Sequence, residues 1–176
     1  MINHDDVGCW IIKGNPNAWD YFTALQENKT SALKRHVYPN DWTLGKTYRN
    51  QLVQKGDLIA LWITGQKNPG IYEFGWVTSD EAYHVDGWDD TYALDLARAD
   101  QSGWAVEFAA VRLEDNYLPR ATMRADAILS GCEPFRAPQV SNPSYLNPME
   151  TKALAQLLAI RVPQSHLEAA NWGHLL

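Results

Sequence analysis

Residues 45 to 47 read Gly-Lys-Thr, the tail of a phosphate-gripping loop, within the stretch NDWTLGKTYRN at 40 to 50. Such a loop needs a second glycine five residues upstream, so that backbone N–H groups can wrap the phosphates, and a buried strand leading into it. Asn40 stands at that position and KRHVYP leads in, so the phosphate-loop reading fails on both counts. Asp20 with Glu27 and Lys29 imitates a nuclease carboxylate set but falls on an expected helix, where that geometry is wrong. Asp86, Asp89 and Asp90 in DGWDD offer oxygens to a hard cation, yet they lack calcium-loop spacing and read as a solvated acidic loop. The histidines at 4, 36, 84, 166 and 174 have no HxxxH or HxH spacing, and no GxSxG elbow occurs. Cys9 and Cys132 are isolated, without CxxC spacing, and suit a reducing cytoplasm. No catalytic residue, metal site or cofactor is expected.

What remains is an aromatic surplus, 8 Trp and 8 Tyr in 176 residues. Trp10, Trp62, Trp76 and Trp104 fall in expected strands, Trp19 on a helix and Trp172 in the tail, where packing explains them. Trp42 and Trp88 lie in polar stretches without apolar periodicity. They are either two walls of a slot for a flat π-system or rings capping the core from outside. Stacking on an aromatic ring stabilises a base by about 1–3 kcal/mol, enough to help offset unstacking it from a duplex.

Charge separates these options only in part. The net charge of −6 argues against a protein that coats nucleic acid by bulk electrostatics. Residues 28–67 nevertheless carry 7 basic residues (Lys29, Lys34, Arg35, Lys46, Arg49, Lys55, Lys67) against 2 acidic ones (Asp41, Asp57). That is a local basic face or a set of scattered solvated charges.

The elements that must position these residues follow from periodicity and turn chemistry. GCWIIK (8–13) reads as a strand; Asn15 caps a helix that starts at Pro16 and runs to about Asn28. The polar stretch from there to about Arg49 reads as a long ordered loop. DLIALWIT (57–64) and IYEFGWVT (71–78) form a hairpin across Asn68-Pro69-Gly70, and WAVEFAAVRL (104–113) is a fourth strand. Residues 79–100 are a loop or contain a short helix at 92–98; Thr122 opens a helix to Leu129, before a Pro-rich loop. Asn147-Pro148-Met149-Glu150 is a capping box opening a helix whose apolar face is Leu154, Leu157 and Leu158. The length fits one domain, 1–163, with 164–176 a tail that has room for a short helix. No apolar run is long enough to span a membrane, and a soluble, cytoplasmic protein is expected. The sum is a small mixed sheet or barrel with flanking helices.

The order CWIIKGNP, helix, DWTLGKTYRNQL, KGDLIALWI, PGIYEFGWV resembles the EVE domain, a branch of the PUA-like superfamily related to YTH domains. The match is good over about 8–80 and only in outline over 104–160. The resemblance implies an α+β fold, a PUA-like mixed β-barrel with peripheral helices, and a pocket that reads a modified base. YTH relatives bind N6-methyladenine in RNA; EVE-type domains are associated with modified cytosines in DNA and are sometimes fused to restriction nucleases. Carried over by position, Trp42 is the pocket tryptophan, Trp88 the second wall, and Lys13 and Asn15 reach the base edge, with Asp41 beside them. Gly14 stands where the family usually has serine. The backbone phosphates would then fall to Lys46, Arg49, Lys67, Arg120, Arg124 and Arg136. Two other readings stay open: a PUA-like RNA-binding or small-ligand module without a modification test, and an enzyme on the same barrel.

Overall fold

The computed structural model describes residues 1–27, 37–88, 91–140 and 142–176. Strand β1 (Cys9–Gly14) is buried on both sides. Cys9 and Ile11 enter one apolar core with Phe74, Leu154 and Trp172; Trp10 and Ile12 enter the other with Ile59, Tyr72 and Phe108. A strand covered on both faces reads as a continuous apolar run, as CWII does. It pairs in parallel with β3 (Leu58–Ile63), which forms the expected hairpin with β4 (Gly70–Val77). Next to β4 lies the long β6 (Ser102–Arg112), then β2 (Tyr38–Leu44), while β8 (Ser144–Leu146) flanks β1 on the other side. The order is β2-β6-β4-β3-β1-β8, with β5 (Tyr83–Asp86) on β6 and β7 (Leu118–Pro119) on β4. This is an α+β architecture, a mixed sheet with peripheral helices, as the resemblance implied.

A side chain ties β1 to the end strand β2 across the rolled sheet. Asn142 accepts from the Lys13 backbone N–H at 2.8 Å and donates to the carbonyls of Lys13 on β1 (3.0 Å) and Thr43 on β2 (3.2 Å). A peptide bond in cis joins it to Pro143.

Several expected elements are corrected. The stretch read as a loop contains β2, in which Tyr38, Asn40, Trp42 and Leu44 face inward and Pro39 and Asp41 outward. Pro39 is tolerated because β2 is an end strand of the sheet. Helix α1 is Tyr21–Glu27, not a helix from Pro16, because Asn15 closes a local turn onto the Asn17 N–H (2.9 Å). Residues 92–98 supply only the short α2 (Leu96–Ala99), and the helix expected over 122–129 is α3 (Arg120–Ala125). The Pro-rich loop contains α4 (Glu133–Arg136).

The capping box is present: α5 (Pro148–Ala159) starts with Asn147 accepting from the Glu150 N–H and Glu150 accepting from the Asn147 N–H, both at 2.9 Å. It buries Leu154 and Leu158 fully; each such side chain contributes about 1.5–3 kcal/mol. The last residues belong to the same core. Helix α6 (Gln164–Ala169) places Leu167 against it, and Trp172, fully buried, donates from Nε1 to the Gly75 carbonyl at 2.8 Å. No helix among the described residues is long and apolar enough to cross a membrane.

Candidate functional site

Two adjoining cavities open on the Trp42 side of the sheet, of about 260 and 320 Å³. Trp19, Trp42, Thr43 and Trp88 line both. Trp42 reaches them from the inner phase of β2. Its ring meets Trp19 edge-on at 5.6 Å between centroids and Tyr21 at 6.3 Å.

Trp88 arrives from a different direction. β5 ends in a turn through Gly87, whose φ of +99° is left-handed and suits glycine. Trp88 then binds the carbonyls of α2: its backbone N–H donates to Ala99 (3.0 Å) and its indole Nε1 to Arg98 (2.7 Å). The following segment is pinned to the approach to α1 by Leu94 N–H to Ala18 (2.8 Å) and Asp20 N–H to Tyr92 (2.7 Å). This brings Tyr92 edge-on to Trp19 at 5.4 Å.

The floor of the smaller cavity is charged. Glu73 on β4, 1% exposed, accepts from the Tyr21 hydroxyl at 2.9 Å and from Asn40 Nδ2 at 3.1 Å. Arg112 on β6 approaches it with Nε at 3.6 Å, and its guanidinium lies 4.5 Å over the Tyr38 ring. Burial and the Glu73 charge push the Tyr21 phenol pKa well up, so its proton stays on and points at the carboxylate. None of these four polar residues was singled out from sequence. The available signals were a lone glutamate inside the apolar run IYEFGWV and an arginine closing WAVEFAAVRL.

The expected site residues are divided by the fold. Trp42, Trp88 and Asp41 line the smaller cavity; Trp42, Trp88, Lys13 and Asn15 line the larger one. Lys13 is on the wall, but its ammonium donates to the carbonyls of Val140 and of Pro138, the latter at 3.3 Å. Burial and the Arg49 charge push its pKa down, against the pull of Glu133.

Arg49, expected at the backbone phosphates, turns inward. It is buried and grips Glu133 with both terminal nitrogens at 2.7 Å, with Pro143 O as a further acceptor at 3.2 Å. Burial would raise the Glu133 pKa; the bonds from Arg49 and from Ser144 (2.6 Å) hold it below the usual carboxylate value. A guanidinium so used has no fork left for phosphate. Its work is to seat β8 and the Asn142 turn.

Of the other basic residues, Lys46 is exposed on the turn after β2, beside the cavity-lining Gly45. Lys67 lies 5.0 Å over Phe22, Arg124 lies 4.3 Å over Phe135, and Arg136 donates to the Gly131 carbonyl at 3.2 Å. Arg120 opens α3, which packs Met123 into the core on the opposite face of the sheet. None of these last four lines either cavity. The exposed Arg98, not singled out from sequence, does. Lys29, Lys34, Arg35, Asp89 and Asp90 lie outside the described residues. Among the described residues no three His, Cys, Asp or Glu side chains are grouped to hold a metal ion.

No protein-family profile matches the chain, and no curated protein matches it in sequence. Solved structures match its fold. A hypothetical protein from Leishmania major shares 19% identity at a TM-score of 0.55, over 93% of this chain and 99% of that one. The human THYN1 protein, solved in complex with 5-methylcytosine-containing DNA, shares 15% at 0.55, over 85% and 96%. The DUF55 domain of human thymocyte nuclear protein 1 shares 14% at 0.51, over 88% and 98%.

Proposed function

We propose that this protein is a nucleic-acid-binding module that takes one flipped, modified base into the slot between Trp42 and Trp88, with modified cytosine in DNA the favoured class. The observation that carries the proposal is the pair of tryptophans, brought from β2 and from the turn after β5 to line the same two cavities. A fold shared with a protein solved on 5-methylcytosine DNA supports it.

The physical steps follow. A base leaving a stack costs a few kcal/mol, least for a single strand or a mismatch. Stacking on aromatic faces returns about 1–3 kcal/mol, and the indole of Trp88 is already fixed by its bond to the Arg98 carbonyl. Lys46, next to the cavity-lining Gly45, and the cavity-lining Arg98 hold the backbone, which positions the strand without reading its sequence. With a net charge of −6, affinity rests on the slot more than on bulk attraction. Strand cleavage, where it accompanies recognition, is assigned to a separate nuclease domain or partner.

A panel of DNA and RNA oligonucleotides carrying 5-methylcytosine, 5-hydroxymethylcytosine, N6-methyladenine or no modification tests the proposal. The expected result is salt-sensitive binding that favours a modified over the plain strand. Equal binding to all would leave a general RNA- or DNA-binding module, and metal-dependent cleavage by this chain alone would make it an enzyme.

A further inference from the structure

The slot fixes where a flat ring lies; the buried polar groups beneath it decide which edge that ring can carry. Glu73, Tyr21, Asn40 and Arg112 converge on the smaller cavity, and all four line it. The Tyr21 hydroxyl hydrogen is spent on Glu73 Oε2, so toward any other group that oxygen is an acceptor. An ionised carboxylate has about four lone-pair sites, and Glu73 receives hydrogen bonds from Tyr21 and Asn40. Its acceptor capacity is unfilled. Arg112 supplies the opposite polarity: its buried Nε faces Glu73 Oε1 at 3.6 Å, beyond hydrogen-bond distance, and has no hydrogen-bond partner among the described residues. A buried donor without a partner is costly unless a ligand satisfies it.

We infer that this floor selects a base whose edge sets an exocyclic amino group beside an unprotonated ring nitrogen, as cytosine and adenine do. The amino group donates to the Glu73 and Tyr21 oxygens, as carboxylates accept from the cytosine amino group elsewhere. The ring nitrogen accepts from Arg112. Thymine and uracil present a carbonyl oxygen and a ring N–H instead, which sets acceptor against carboxylate and donor against guanidinium. The inference rests on the proposal that the Trp42–Trp88 slot holds a base, and assigns the edge reading to Glu73 and Arg112 in place of Lys13 and Asn15.

The test compares single-stranded oligonucleotides identical except for 5-methylcytosine or thymine at one position. The two bases share the ring methyl and differ only in the amino edge, and single strands remove any difference in pairing. Wild-type protein is expected to bind the 5-methylcytosine strand at least about tenfold more tightly. Glu73→Gln, whose amide can turn its NH₂ toward a carbonyl, is expected to narrow or reverse that ratio. Should Glu73→Gln fail to fold, Tyr21→Phe keeps the ring, removes one of the two hydrogen bonds that hold the carboxylate, and is expected to lower the ratio. Equal binding of both strands by wild-type protein, with Trp42→Ala abolishing it, would overturn the edge assignment and leave the aromatic slot standing. Binding of neither strand would overturn the slot as well.

Discussion

The ring edge of Trp42 fills the space that a side chain at residue 14 would need. A β-carbon built on Gly14 would stand 2.6 Å from Trp42 Cζ2 and 2.9 Å from Ile63 Cδ1. Glycine at this position therefore has a local cause: β1 carries no side chain at its end, and the tryptophan from β2 lies against it. Gly14→Ala is expected to overpack the contact, lowering stability by about 1–3 kcal/mol and weakening binding of a modified strand. At Gly131, where a β-carbon meets nothing within 4 Å, the same change should do neither. Urea unfolding and oligonucleotide titration of both variants check it.

Trp42 is half-buried on an end strand, so its loss removes more binding than folding energy. Trp42→Ala is expected to weaken modified-base binding by about 1–3 kcal/mol or to abolish it, with the far-ultraviolet circular dichroism spectrum unchanged. Unaltered affinity in that variant would remove the slot from the account.

Backbone contacts read charge and not sequence. Arg98→Ala and Lys46→Ala should each weaken modified and plain strands equally and reduce the slope of log affinity against log salt by about 1. Arg124→Ala and Arg136→Ala, on residues that line neither cavity, should leave that slope alone.

The Arg49–Glu133 pair makes the fold acid-sensitive. Glu133 has a folded pKa below its unfolded value, so the unfolded chain binds more protons in acid. The pair's stabilisation is complete above the unfolded value of about 4.3 and drains away as pH falls through the lower folded one. Arg49→Ala leaves a buried carboxylate unpaired and should cost about 3–5 kcal/mol at neutral pH. Denaturant midpoints measured from pH 7 to pH 3 should fall steeply for wild type and less so for Glu133→Gln, in which this titration is absent.

Trp172 closes the core from the last turn of the chain. Its replacement by alanine should cost about 3–5 kcal/mol, read as a lower urea midpoint, because the ring packs edge-on to Phe74 at 5.5 Å and its N–H satisfies the Gly75 carbonyl. A variant of wild-type stability would show that 164–176 is an appendage.

Local signals were legible wherever one element decided its own conformation. The continuous apolar run of β1, the β3–β4 hairpin across Asn-Pro-Gly and the capping box of α5 are each written within one short stretch of chain, because hydrogen-bonding and burial there depend on near neighbours. The expectation that Trp42 lines a pocket came from the family resemblance; that it stands on a strand was hidden. The inner phase of β2 includes Asn40, which faces inward to bind Glu73, so polar and apolar residues do not alternate cleanly there. Tertiary structure alone decided the partners of the charges. Arg49 finds Glu133 84 residues away, and Glu73 finds Tyr21 at a separation of 52. The sequence by itself determined that Glu73 sits within the apolar run IYEFGWV and Arg49 within a polar stretch. Only the rolled sheet, which brings β2, β4, β6 and α1 around one cavity, decided which of them would hold the core and which would line that cavity.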